Sequence, residues 1–165
     1  MLASGGASML DRHGIADAYV NEGHALVIAN GGGADLEGCV CGDDCWGVID
    51  LLISENGSDG AIPDLVRRIL DDGAYVAWVG YMRPMEDADE YADCGGEVDL
   101  LRERLQRLDE SEDGMVFVDG ALIGTGVEED LYDPDGYHPS PEGCAALGEE
   151  VAQRVDGAFG LSALG

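Results

Sequence analysis

The 165-residue sequence predicts an α/β fold built on a parallel sheet. Three observations predict it. Continuous apolar runs at 25–30, 75–79 and 115–118 run into or close to glycine, as strands covered on both faces do. Amphipathic segments with apolar residues three and four apart separate these runs, and parallel strands need such crossovers. No internal repeat or composition break divides the chain, so one domain over 1–165 is expected.

Taken in order, residues 11–21 read as a helix with no apolar strand ahead of it. Ala25 to Asn30 form a buried strand that breaks into Gly31-Gly32-Gly33. Residues 46–54 are apolar enough for a short helix. Ile62, Leu65, Val66, Ile69 and Leu70 share one helical face, with Pro63 near the start and Gly73 past the end. Tyr75 to Val79 make the second strand, closing at Gly80. Residues 83–96 are an acidic, irregular excursion. Val98, Leu101, Leu105 and Leu108 give an amphipathic helix with Arg and Glu outward. Met115 to Val118 form the third strand. Ser140 is placed to cap a last helix, with Pro141 in its first position and a stripe of Cys144, Leu147, Val151 and Val155.

Composition narrows the function classes. Eight arginines, no lysine and 35 acidic residues give a formal charge of −27. A chain this acidic lacks the cationic face that nucleic acid or an anionic membrane surface requires. Its 45% apolar content, in short clusters, argues for a packed core rather than disorder. No apolar run approaches the roughly 18–20 residues of a membrane span, so no integral membrane segment is expected. The lysine deficit fits a high-salt setting and, equally, an arginine-biased composition.

Five cysteines, Cys39, Cys41, Cys45, Cys94 and Cys144, allow at most two disulfides. The Cys39-x-Cys41-x3-Cys45 spacing lies in a Gly/Asp-rich stretch and lacks a zinc knuckle and a fourth ligand. A local disulfide is the leading reading there, with free thiols and zinc behind it. No metal site is expected, the acidic loops at 83–93 and 109–113 having no defined Ca²⁺ spacing. Two disulfides would suit an oxidising compartment, while Met1 to Gly6 lack a signal peptide's basic and apolar regions, so localisation stays open.

In open parallel sheets ligands gather beyond the carboxyl ends of the strands. Three segments fall there: Asn30 to Asp35, Gly80 to Arg83, and Asp133 to Ser140. Asp135-x-x-His138 is the most informative. Three residues apart on a turn, a carboxylate reaches the Nδ1 proton of the imidazole and leaves Nε2 as a general base. The alternative is an Asx turn beside an ordinary surface histidine. The triple glycine reads either as a tight turn or as bare backbone whose N–H groups face an oxyanion.

In sequence order, V-I-A-N-G-G-G-A-D-L (27–36), G-A-Y-V-A-W-V-G-Y (73–81) and D-G-Y-H-P-S-P-E-G (135–143) resemble the SGNH (GDSL-type) hydrolases over roughly residues 4–157. The resemblance implies a flavodoxin-like three-layer sandwich and hydrolysis of carboxylic esters by a Ser-His-Asp mechanism, with no metal or organic cofactor. Asp135 and His138 match the orienting acid and the base. Gly32-Gly33-Ala34-Asp35 matches the family's G-x-N-D block, with Ala34 where an asparagine donor is usual. Gly6 matches the oxyanion glycine of the preceding block, so Gly6, Gly32 and Gly33 are the expected oxyanion-hole positions.

No G-D-S block is present. Ser8, in Gly6-Ala7-Ser8-Met9-Leu10, is the minority nucleophile candidate, but only 22 residues separate it from Gly31. The alignment of Ser4 to Ser8 with the second block implies an N-terminally truncated fold without the first strand and nucleophile. The strand at 25–30 would then carry an open edge, inviting self-association. Two functions follow as expectations. One is an esterase acting on a small-molecule ester such as an acylated sugar or lipid. The other is an inactive remnant that binds a ligand or partner in the same cleft.

Overall fold

The computed structural model describes residues 7–36 and 45–160, with backbone alone at 89–90. It is a mixed α/β structure. Three parallel strands, β1 (Leu26–Ala29), β2 (Tyr75–Val79) and β3 (Met115–Val118), lie side by side in the order β1-β2-β3. The helices are α1 (Ile15–Ala18), α2 (Gly33–Leu36), α3 (Trp46–Leu52), α4 (Ala61–Asp71), α5 (Gly95–Ser111) and α6 (Pro141–Phe159).

The pleat sorts the strand residues onto two faces. Val76 and Trp78 of β2, with Met115 and Phe117 of β3, join Ile49 and Leu52 of α3, Ile62, Val66 and Ile69 of α4, and Leu101, Leu105 and Leu108 of α5 in the core. Each large side chain fully buried there contributes about 1.5–3 kcal/mol. On the other parity, Tyr75 stacks on Phe159 of α6 with ring centroids 4.2 Å apart. Helix α4 ends as its sequence implies: Gly73 takes φ +89°, and its N–H is donated to the Leu70 carbonyl. Helix α6 starts on Ser140, whose hydroxyl accepts the Gly143 N–H at 3.1 Å, with Pro141 at the first position.

Four expectations need correction. The helix at 11–21 is a single turn, Ile15–Ala18, between extended backbone at Gly14 and Tyr19, while Met9 and Leu10 ahead of it donate to Asp35. The strand at 25–30 is not buried on both faces. In register, Ile28 sits beside Ala77 on the α6 face, yet α6 packs on β2 and β3, leaving Ile28 59% exposed at the sheet edge. The outward charges of α5 are not all outward. Arg104 is buried, its Nη1 donating to Asp50 Oδ1 and to the Ile53 carbonyl at 2.6 Å each, which fastens α5 to α3. Glu97 is 3% exposed. Finally, Cys144 does not pack inward with the rest of the α6 stripe: it is a free, exposed thiol, while Leu147 and Val151 are half-buried and Val155 is buried.

Cys45 and Cys94 are each disulfide-bonded, which takes Cys45 out of any zinc reading. Cys39 and Cys41 lie outside the described residues. Among the described residues no cluster of three or more His, Cys, Asp or Glu is placed to hold a metal ion. No described helix is long and apolar enough to cross a membrane.

Candidate active site

The carboxyl ends of β1 and β2 open into a cavity of about 550 Å³. Its polar lining includes Asn30, Tyr81 and His138, while Leu36, Val79, Met82, Val98, Leu101 and Leu147 form apolar walls. That size and lining suit a small ligand with a substantial apolar portion.

The turn after β1 needs glycine for steric reasons at two of its positions. A Cβ on Gly31 would lie 2.8 Å from Met9 Sδ, and one on Gly33 would lie 2.9 Å from Tyr81 Oη. Gly32 has φ +107°, a conformation side chains oppose. Gly31 and Gly33 line the cavity with Ala34; a Cβ on Gly32 would instead face Leu52, Ile62 and Leu101 in the core. The Gly33 N–H is donated to Tyr81 Oη at 2.7 Å. Asn30 Nδ2 donates to the Val79 carbonyl at 2.7 Å, tying the ends of β1 and β2 together.

Asp135 and His138 meet as their spacing implies. Asp135 Oδ2 lies 2.8 Å from His138 Nδ1, and Oδ1 accepts the backbone N–H groups of Tyr137 and His138 at 3.1 and 3.0 Å. Burial pushes the Asp135 carboxyl up, but the hydrogen bonds from the His138 ring and these two N–H groups outweigh it and hold the group below the usual carboxylate range. A charged carboxylate beside Nδ1 keeps the proton there and leaves Nε2 to accept one. The His138 ring sits at the cavity rim with 61% of its side chain exposed. Tyr137 packs on it at 4.2 Å, and Tyr91 on Tyr137 at the same distance.

Ser8 is committed elsewhere. Its hydroxyl donates to Asp35 Oδ1 at 2.5 Å and accepts the N–H groups of Leu10 and Asp11 at 3.0 Å each. Asp35 also accepts the Met9 and Leu10 N–H groups. Ser8 is thus a loop cap, whereas Ala7 beside it lines the cavity. Gly6 lies outside the described residues. None of the described residues lining the cavity is Ser or Thr, and its one cysteine, Cys94, is disulfide-bonded. Ser8→Ala is expected to lower stability by about 1 kcal/mol, a lost cap, while ester turnover stays within twofold; urea melts and initial rates check both.

Sequence reasoning named Tyr81 only as part of the segment after β2 and missed Glu97, which also lines the cavity. The Tyr81 signal was its place immediately beyond a strand end; for Glu97, on an amphipathic helix, there was none. Burial is the first cause pushing the Tyr81 phenol up to about 12, with the Asp35 charge adding to it against the Gly33 N–H. The unfolded phenol ionises near its ordinary value of 10 while the folded one cannot, so folding stability falls as pH rises from about 10 towards 12. Urea melts between pH 9 and 11 should show this slope, reduced in Tyr81→Phe.

Comparison with protein-family models, curated proteins and solved structures finds no match to this chain.

Proposed function

We propose that this chain carries the acid–base pair and the acyl-binding cavity of an SGNH-like ester hydrolase. One observation carries the reading: an Asp135–His138 pair 2.8 Å apart stands on the rim of an apolar cavity that opens beyond two parallel strand ends. The fold that goes with it is a flavodoxin-like three-layer sandwich, with no nucleophile identified among the described residues.

In this reading His138 Nε2 takes the proton of an attacking serine hydroxyl as its oxygen bonds to the ester carbonyl carbon. The carbonyl oxygen gathers negative charge, and the imidazolium, steadied by Asp135, then protonates the departing alcohol. Water repeats the sequence on the acyl-enzyme and releases the acid. No step calls on a metal or organic cofactor. The apolar walls seat the acyl chain, and the exposed rim leaves room for a sugar or glycerol alcohol.

The test is saturable hydrolysis of p-nitrophenyl butyrate by the purified chain. Rates equal to buffer for both the wild type and His138→Ala would sink the hydrolase. A second reading, a non-catalytic binding protein, is favoured by the lack of Ser or Thr among the described residues lining the cavity and by Ala34 in place of a donor. Saturable binding of an acylated sugar or lipid without turnover would establish it.

A further inference from the structure

Tyr81 lines the cavity, and among the described residues its hydroxyl proton has no partner. Tyr81 Oη accepts the Gly33 N–H at 2.7 Å, yet its own O–H donates to none of the described residues. A buried or half-buried hydroxyl seeks an acceptor, since leaving one unmade costs about 1–3 kcal/mol. The described walls of the cavity are mostly apolar, so a ligand carbonyl held there is an available acceptor.

We infer that the Tyr81 hydroxyl is the hydrogen-bond donor to the carbonyl oxygen of the ligand, supplying the donor that Ala34 lacks. The inference rests on the ester-binding reading above. Three features support it. First, the Gly33 N–H anchors the phenol oxygen on the turn, so the donor is set before the ligand arrives, the arrangement that stabilises a growing oxyanion. Second, the missing Cβ at Gly33 is what lets the phenol approach: an alanine there would overlap both Oη and Cζ at 2.9 Å. Third, donor and base are complementary and line one cavity. His138 Nε2 can accept the proton of an attacking hydroxyl while Tyr81 holds the oxygen that becomes negative. The phenol remains protonated at every ordinary working pH, its ionisation lying near 12. It therefore hydrogen-bonds throughout and transfers no proton.

The experiment compares wild type, Tyr81→Phe, and the chain with 3,5-difluorotyrosine at position 81, which keeps both ring and hydroxyl if the phenylalanine variant fails to fold. Two readouts are taken: p-nitrophenyl butyrate kinetics, and the infrared carbonyl band of bound 2-decanone, a ketone that cannot be hydrolysed. Tyr81→Phe is expected to lower kcat by on the order of 10²-fold with KM within about twofold. The ketone band, shifted down in wild type, should return towards its value in an apolar solvent. The more acidic difluorophenol should shift it further down. A Tyr81-dependent band in a wild type that shows no turnover keeps the inference and discards the hydrolase. A band that is the same in all folded forms overturns the inference whatever the turnover does, as does failure of wild type to bind the ketone.

Discussion

In a chain that turns over p-nitrophenyl butyrate, His138→Ala is expected to lower kcat by about 10³-fold, within the range that general acid–base catalysis contributes. The imidazole is the group on the cavity rim whose tautomer is set for proton uptake: Asp135 Oδ2 holds Nδ1 at 2.8 Å, and Oδ1 is itself fixed by two backbone N–H groups. Alanine removes both the base for attack and the acid for the leaving alcohol. Asp135→Asn keeps the ring but no longer favours the proton on Nδ1, so a smaller loss is expected. Initial rates on folded variants decide the matter, and an alanine variant within threefold of wild type removes His138 from the mechanism. The pair also links to stability. The carboxyl of Asp135 titrates lower in the folded chain than in the unfolded one, so its contribution is present above the usual carboxylate range and is lost as pH falls through the depressed value.

Asp35→Ala should produce the largest loss of stability among the site residues, about 2–4 kcal/mol. One carboxylate accepts the Ser8 hydroxyl and the Met9 and Leu10 N–H groups, and hydrogen bonds to a charged acceptor are the stronger kind. Removing it orphans the Met9 N–H and releases the Ser8 hydroxyl, although the Leu10 N–H keeps Ser8 Oγ, and it frees the segment that delivers Ala7 and Ile15 to the cavity wall. For a chain of 165 residues this corresponds to a fall in Tm of about 5–15 °C. Thermal melts of Asp35→Ala beside Ser8→Ala separate the two contributions. Equal melting temperatures would show that the carboxylate does not hold the loop.

The strands and main helices were legible in the sequence because their signals are local. Tyr75 to Val79 is an apolar run with glycine after it, and Ser140-Pro141 is a cap followed by a residue preset for a first helical turn. The same locality made Asp135 and His138 readable as a pair, since three residues on a turn suffice to bring carboxylate and imidazole together. Segment 11–21 misled, because extended backbone at Gly14 and Tyr19 confines its helix to one turn. Arg104 and Glu97 misled for another reason: a charge on an amphipathic helix looks solvent-facing until its partner or cavity is in place.

What the sequence by itself determined, then, is the alternation of strands and helices and the geometry of the acid–histidine turn, both governed by neighbours within a few residues. Tertiary structure alone decided that β1 lies at the sheet edge, that Asp35 claims Ser8 and that Tyr81 meets Gly33 from 48 positions away. Those outcomes depend on which distant surfaces exclude water together. Spacing along a chain carries no record of that.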